Sequence, residues 1–494
     1  MYDPQTGADA PTIDPAQARV AAATFSLDPL LLQPSTRERV LQLYPALAGE
    51  EPPATANRQL LQYLLTSSYR EELTGRLIVP HATLAAMWNI HPHSGGFRSG
   101  RRLREFEEQV LPLHERPYDH ERGLARTVEP EFPTELLNLL AHEIPEEFTR
   151  PTELVDWVTG RRMAAGSRDS QLRAREHELL ADAAPLLTDH PARELVEFLN
   201  AQPLHAFNRV LRANWGSVRA EILQMPRETD RDRRRLQLAA QIMLRTAQAP
   251  RVLYRPVENS VRIYPATLSV NQLPRELRAM LFRGAIQLDL RSCQLAIVSK
   301  LWGLTDLQRR LGEGWSIWEY LLDALGVTDR KPILKISIYS ILFGGNMGKI
   351  RQRLACGTAA EPGIGESKAR EFEHLPQIEE LLEARKSAMQ RVRAEDGVRD
   401  AFGRWIALPN RSQRSVRSLL SQQTQSYELR LMRKLWHVIR EEKDLRILAW
   451  LHDGVILRST DRAERERQIH RIGREIQAEA MDQGIPTELE RKDL

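Results

Sequence analysis

Residues 445–458, LRILAWLHDGVILR, contain two apolar, β-rich runs on either side of an Asp-Gly pair. An Asp-Gly pair between apolar runs is a strong hairpin signal, because the tight turn needs a backbone with positive φ. The pattern predicts two antiparallel strands, at residues 445–451 and 455–458, with Asp453 at the tip of the turn. For this aspartate alone, an ordinary tight turn is the simpler explanation.

A second carboxylate stands where another predicted strand ends. Residues 285–290 (AIQLDL) have the pattern of a buried strand, and residues 292–302 (SCQLAIVSKLW) have that of a helix. Asp289 therefore lies at a strand-to-helix junction, where the strand would fix its backbone while the carboxylate reaches into a cleft. Alone, a structural aspartate that caps the helix is again the simpler explanation.

The two aspartates are more informative together than apart. Carboxylates from different β elements can share a pair of Mg²⁺ ions about 3.5–4 Å apart, which activate an attacking oxygen and stabilise a leaving phosphate group. Magnesium prefers oxygen ligands and keeps several waters, so few protein carboxylates suffice. The sequence thus predicts a site for two Mg²⁺ ions at Asp289 and Asp453, with Mn²⁺ as an expected substitute.

Between the two carboxylates, residues 329–345 (DRKPILKISIYSILFGG) predict a helix. The proline suits its first turn, and the Gly-Gly pair suits its end. A spacing of four residues places four side chains on one stripe of this helix: Lys331, Lys335, Tyr339 and Phe343. Cations at the start of the stripe suit phosphates, and aromatic rings further along suit a base and a sugar. The alternative is an amphipathic core helix with an incidental lysine.

These stretches resemble the motifs of the family A DNA polymerases, the bacterial polymerase I family. Residues 289–296 (DLRSCQLA) are similar to the family's first palm motif, Asp-Tyr-Ser-Gln-Ile-Glu-Leu-Arg. Residues 331–344 resemble its finger-helix motif, Arg-x3-Lys-x3-Phe/Tyr-x3-Tyr-Gly, and residues 452–454 resemble its His-Asp-Glu motif. Weaker matches in the same order extend the resemblance over about residues 255–460.

The resemblance implies an α+β fold of the right-hand polymerase kind, with an antiparallel-sheet palm and helical fingers and thumb. It implies metal ligation by Asp289, Asp453 and the backbone carbonyl of Leu290, and it makes Lys335 the phosphate-binding cation of catalysis. Nucleotide-binding roles fall on six residues: Gln294, Arg330, Lys331, Lys335, Tyr339 and Phe343. Contacts to the DNA primer-template fall on four residues: Arg262, Arg404, Gln423 and His452.

Three departures from the family pattern bear on the choice of sugar. The glutamate that excludes ribose in the family corresponds to Gln294, and its partner tyrosine corresponds to Phe343, which has no hydroxyl. Gln294 is still bulky, and the single-subunit RNA polymerases that share this palm usually have a small residue there, so deoxynucleotides are favoured. The family's third-motif glutamate corresponds to Gly454, which neither subfamily usually has.

Composition is consistent with a nucleic-acid partner but does not require one. The chain has 494 residues, with 70 Lys and Arg against 66 Asp and Glu. Two cysteines imply no disulfide framework, the polar first residues are unlike a signal peptide, and no apolar run is long enough to span a bilayer. We therefore expect a cytoplasmic protein without a membrane partner.

Changes in the residue pattern along the sequence predict three regions. Residues 1–133 are expected to form a mainly helical accessory domain that binds DNA, supports priming or docks a replication partner, beginning with a loose segment up to about residue 20. Residues 134–250 are expected to form a helical, thumb-like region. Residues 251–494 are expected to form the palm, with fingers inserted at about 303–400. Nothing before residue 133 has the pattern of a proofreading exonuclease domain.

The leading hypothesis is therefore an enzyme that extends a primer 3′ end with dNTPs on a template by two-metal-ion catalysis. A primase-like or single-subunit RNA polymerase is the alternative within the same class. A catalytically silent nucleic-acid-binding protein is the alternative from another class, and a two-metal nuclease would leave the Lys335–Phe343 stripe without a purpose. Template type and the need for a primer stay open at this stage.

Overall fold

The structure is a computed structural model of an α+β protein. It describes residues 30–67, 77–88, 95–117, 125–142, 154–163, 176–177, 180–181, 184–202, 204–248, 251–257, 260–357, 361–410, 412–442, 444–461 and 463–494. The loose segment predicted at residues 1 to about 20 lies outside these ranges.

The helices of the described residues are α1 (Pro34–Leu43), α2 (Pro52–Thr66), α3 (His81–Met87), α4 (Gly95–Gln109), α5 (Thr134–His142), α6 (Ala184–Leu187), α7 (Arg193–Asn200), α8 (Leu204–Gln224), α9 (Asp230–Gln248), α10 (Arg275–Leu281), α11 (Cys293–Trp302), α12 (Thr305–Gly312), α13 (Ile317–Ala324), α14 (Lys331–Leu342), α15 (Met347–Cys356), α16 (Glu366–Glu373), α17 (Pro376–Glu395), α18 (Gln413–Glu441) and α19 (Arg465–Asp482). The strands are β1 (Leu31–Leu32), β2 (Leu77–Pro80), β3 (Leu113–Pro117), β4 (Ala125–Pro130), β5 (Leu154–Asp156), β6 (Arg162–Met163), β7 (Tyr254–Pro256), β8 (Ile263–Pro265), β9 (Ile286–Leu290), β10 (Gly397–Arg399), β11 (Trp405–Ala407), β12 (Leu445–Trp450), β13 (Gly454–Ser459) and β14 (Leu489–Asp493).

The chain forms two compact units, one of Met1–Ser170 with Arg219–Gln248 and the other of Gln171–Val218 with Ala249–Leu494. This division differs from the predicted one, because the stretch expected to be a single thumb-like region contributes to both units. In the first unit, α9 packs on α2 and α5. The side chains of Gln237 and Gln241 on α9 donate hydrogen bonds to backbone carbonyls of that unit. The accessory and thumb-like roles stay predictions.

The first unit also contains sheets that the sequence analysis did not predict. Strands β2, β4 and β3 form an antiparallel sheet with β4 in the centre, and β1, β5 and β6 form a smaller one. The region expected to be mainly helical, residues 1–133, thus has long helices as predicted and short strands that were not predicted. Each strand of the larger sheet has at most six residues and ends in proline, so the alternating pattern is too brief to stand out beside the helices.

In the second unit, the strands predicted around both aspartates are confirmed, as are the helices that became α11 and α14. These strands form a four-stranded antiparallel sheet in the order β12-β13-β9-β14. The fourth strand, β14, was not predicted from the sequence. Burial alternates along β9: Ile286, Leu288 and Leu290 are buried, whereas Gln287 and Asp289 are half-buried. The sheet therefore has one apolar face and presents Asp289 on the other.

The long helix α18 packs on α11 and α19, and α19 contacts β14. Trp436 on α18 is among the largest buried side chains of the unit. None of the helices in the described ranges combines the length and the apolar character needed to cross a membrane.

Candidate active site

The sheet of the second unit brings the two predicted metal ligands together. Asp289 on β9 is directly opposite Gly454, the first residue of β13, and Asp453 immediately precedes that glycine. The backbone N–H of Leu290 donates to the carbonyl of Asp453 at 2.8 Å. Two carboxylates that are far apart in the sequence are thus held on neighbouring strands by the backbone ladder itself.

The turn that carries Asp453 differs in one respect from the predicted Asp-Gly turn. The N–H of Leu451 donates to the carbonyl of Gly454 at 2.8 Å, so the two turn residues are His452 and Asp453. Positive φ falls on His452 (71°), and Gly454 is already a strand residue.

Gly454 has a steric role instead of a conformational one. A Cβ atom at this position would lie 1.9 Å from Oδ1 of Asp289 and 2.8 Å from the carbonyl oxygen of Leu288. Only glycine leaves room for the Asp289 carboxylate in its observed place. The observed position of the Asp289 carboxylate therefore requires glycine at position 454.

Both carboxylates have raised pKa values. Burial raises the pKa of Asp289 and the nearby charge of Asp453 raises it further, while a hydrogen bond from Gln287 opposes the shift. Burial and the charge of Glu428 raise the pKa of Asp453 to about 6, while Lys335 opposes this. Repulsion within the pair and loss of water both disfavour the charged forms, so a bound cation would stabilise this arrangement.

The predicted stripe on α14 is confirmed as one face of a helix whose other face is core. Lys331 and Lys335 are exposed, and Tyr339 and Phe343 are half-exposed. The opposite side of the helix is buried: Ile333, Leu334, Ser337, Ile338, Ile341 and Leu342. The Lys335 ammonium lies 5.3 Å from the centre of the Tyr339 ring, which makes an edge contact with Phe343 at 6.5 Å.

Electrostatic interactions connect this stripe to the two aspartates. The charge of Lys335 acts on Asp289 and on Asp453, lowering the pKa of each carboxyl against the effect of burial. Burial and the charge of Asp453 raise the pKa of Tyr339. The N-terminal end of α14 is less closely involved, because Lys331 is exposed and the Arg330 guanidinium donates to the carbonyl of Asp329 at 3.3 Å.

Glu428 on α18 is a buried carboxylate that was not predicted from the sequence and that holds two side chains of the site in place. It accepts two hydrogen bonds from the Arg262 guanidinium, at 2.8 and 2.6 Å, and a further one from the side-chain amide of Gln294. Both Glu428 and Gln294 are about 1% exposed. The sequence did contain a signal, because this glutamate shares an apolar helix face with buried Leu431 and Leu435.

Of the four predicted primer-template contacts, two lie beside the aspartates. Arg262 is held in its bidentate pair with Glu428. The His452 ring contacts Tyr264 with 4.9 Å between centres, and burial together with Arg262 lowers its pKa to about 3, so the imidazole is neutral. A neutral ring at this position can accept a hydrogen bond.

The other two lie at the β10–β11 hairpin. Arg404 binds Asp400 at 2.7 Å and the carbonyl of Asp189 at 3.0 Å, and Gln423 donates to the carbonyl of Arg399 at 2.9 Å. Their contacts to a primer-template stay predictions.

The donor set fits a hard divalent cation. Within the described residues, no group of three or more His, Cys, Asp and Glu side chains could hold a metal ion. A pair such as Asp289 and Asp453 is smaller than such a group, and Mg²⁺ is commonly held by one or two carboxylates together with water and substrate phosphates. The half-buried carboxylates of Asp289 and Asp453 remain partly accessible, as such binding requires.

Comparison with known proteins finds similarity among solved structures. No family model matches the chain, and no curated protein matches it. Among solved structures, the chain is similar to the POL domain of Pol1 from M. smegmatis in complex with DNA primer-template and dNTP, with a TM-score of 0.41 and 12% sequence identity. The likeness covers 88% of this chain and 80% of that chain.

Proposed function

We propose that this protein is a template-directed nucleotidyltransferase that extends the 3′ end of a DNA primer with dNTPs. The pairing of Asp289 opposite Gly454 carries the proposal, because it makes neighbours of two aspartates that the motif resemblance identifies separately. The charge of Lys335, which lowers the pKa of both carboxyl groups, supports it. A chain with two convergent carboxylates, a cation and an aromatic stripe has the groups that nucleotidyl transfer requires.

The metal chemistry is assigned to Asp289 and Asp453, with the Leu290 carbonyl as a further predicted ligand. Mg²⁺ ions bound there would supply activation of the primer 3′ oxygen and neutralisation of the charge on the departing pyrophosphate. Each aspartate must be ionised to bind a cation, and the Lys335 charge favours that form at both residues.

The nucleotide is assigned to the stripe on α14. Lys335 binds the triphosphate as a mobile point charge, and the Tyr339 and Phe343 rings provide apolar surface for the base and the sugar. Gln294 is assigned to the sugar on the motif resemblance; its side chain is about 1% exposed and is held by Glu428. A residue as bulky as glutamine at that position disfavours a 2′-hydroxyl, and deoxynucleotides are the proposed substrates.

Extension of a labelled primer on a DNA template tests the proposal. The wild type, Asp453→Asn and Asp289→Asn are compared with Asp323→Asn, a control on an exposed position of α13. We expect Mg²⁺-dependent extension by the wild type and the control, and a loss of about 100-fold or more in each active-site variant.

Parallel reactions with NTPs, and with unprimed template, separate the alternatives. Incorporation of NTPs in preference to dNTPs would replace the proposal with an RNA-synthesising enzyme. Salt-sensitive DNA binding without extension under any condition would indicate a catalytically silent binding protein. Extension that both asparagine variants retain would exclude the assigned site.

A further inference from the structure

The hairpin formed by β10 and β11 has an exposed tryptophan that the active site does not use. Trp405 is 46% exposed and is one of three exposed large apolar side chains in the described part of the chain. Tryptophan is highly buried on average and is enriched at interfaces, where one side of its ring is apolar and the other is wet.

The surrounding residues hold the Trp405 ring flat against the hairpin. A Cβ atom on Gly397, the diagonal neighbour across the two strands, would lie 2.5 Å from the ring, so the glycine allows the indole to lie directly over the backbone. Arg399 is the direct cross-strand partner of Trp405, and its guanidinium carbon lies 5.9 Å from the ring centre. The ring therefore has a supported inner side and a side open to solvent.

The charge next to the ring is positive. The Arg399 guanidinium donates to the carbonyl of Gly403 at 3.2 Å, and no carboxylate of the described residues forms an ion pair with it. Arg404, the residue before Trp405, has a 40% exposed guanidinium that is paired with the buried carboxylate of Asp400. A base can stack on the indole while its phosphates lie near these guanidinium groups.

The hairpin is anchored to the helix that also carries the site carboxylate Glu428. The side chain of Gln423 on α18 donates to the carbonyl of Arg399, and the Ser426 hydroxyl accepts from the N–H of Ala401 at 2.8 Å. The hairpin and the site carboxylate Glu428 are thus both connected to the same helix of the second unit.

We propose that Trp405, backed by Gly397 and flanked by Arg399, is a stacking platform for a nucleobase of a single-stranded nucleic acid. The inference rests on the proposed function for its biological use, since a template must be single-stranded where it is copied. The stacking itself does not depend on that function, because the indole offers a π-face on which every base can stack. Binding there is therefore tolerant of sequence.

The test is fluorescence anisotropy with a short labelled oligothymidine, and with an abasic oligomer of the same length, in EDTA so that no catalysis occurs. Trp405→Leu keeps apolar cover over Gly397 but removes the π-face, Trp405→Phe keeps a smaller π-face, and Met481→Ala alters another exposed apolar residue as the control. Thermal melting verifies that each variant is folded.

We expect Trp405→Leu to weaken oligothymidine binding about 5- to 100-fold, Trp405→Phe to weaken it less, and Met481→Ala to leave it unchanged. Binding of the abasic oligomer should not change in any variant. Unaltered oligothymidine binding by Trp405→Leu would overturn the proposal and leave Trp405 as a cover for Gly397.

Equal weakening toward both oligomers would also overturn it, because base stacking would not be the cause. If Trp405→Leu does not fold, Trp405→Phe decides by the quenching of tryptophan fluorescence on binding, which should be reduced against the wild type. Mg²⁺-dependent primer extension by the wild type is measured separately and reports on the catalytic assignment, so a failure of the stacking site and a failure of the catalytic assignment are told apart.

Discussion

Replacing Gly454 with alanine should inactivate the protein by displacing the Asp289 carboxylate. The new Cβ atom would lie 1.9 Å from Asp289 Oδ1, whereas side-chain Cβ atoms essentially never approach another heavy atom within 3.0 Å. The carboxylate would have to move by about 1 Å or more, and a misplacement of about 1 Å in a catalytic group costs roughly 100-fold in rate. The overlap with the Leu288 carbonyl should also lower the free energy of unfolding by about 1–3 kcal/mol.

The assay is primer extension at saturating dNTP and Mg²⁺, alongside thermal denaturation. Gly473→Ala is the matched control, because Gly473 lies within α19 and a Cβ atom there meets nothing within 4 Å. Alanine is favoured over glycine inside a helix by about 1 kcal/mol, so this variant should be slightly more stable and fully active. Full activity of folded Gly454→Ala would refute the inference that this glycine makes room for a catalytic carboxylate.

Two further predictions concern charge around the aspartates. Burial and the charge of Glu428 together raise the pKa of Asp453 to about 6. At limiting Mg²⁺, the wild type should therefore lose activity as the pH falls through about 6, because a protonated Asp453 cannot bind a cation. Glu428→Gln removes one of the two causes, so the pH–rate profile of this variant should shift to lower pH. An unchanged profile, or a shift to higher pH, would contradict this sign. Lys335→Ala should raise the apparent KM for dNTP about 10- to 100-fold and change duplex binding little, since a charge-assisted contact to phosphate is lost. Steady-state kinetics measures the KM and anisotropy measures duplex binding, with Lys349→Ala as the exposed control. Equal losses in dNTP use and in duplex binding would mean that α14 does not bind the nucleotide.

The parts of the site that the sequence predicted are those set by local patterns. The strand that ends at Asp289, the turn at Asp453 and the stripe on α14 follow from periodicities of two and four residues and from short-range turn preferences. The register that places Gly454 opposite Asp289 is a tertiary property. A shift of one residue would have turned the carboxylate to the other face of the sheet, and no local signal excludes that shift.

The features that the sequence did not predict share a physical cause. The contact of Arg262 with a primer-template stays a prediction, but its pair with Glu428, at a sequence separation of 166 residues, was not predicted. A surface arginine and a buried, paired one look alike in sequence. The sheet formed by β2, β3 and β4 was missed because strands of four to six residues acquire their stability from neighbours that are distant in the chain.

The most direct measurement of shared metal binding is anomalous diffraction from crystals soaked in MnCl₂ with primer-template and a non-hydrolysable dNTP analogue. We expect Mn²⁺ peaks within ligand distance of the carboxylates of both Asp289 and Asp453, and no such peaks in Asp453→Asn crystals. Strong Mn²⁺ peaks elsewhere, with none touching either aspartate, would contradict the assignment of this pair as the catalytic centre.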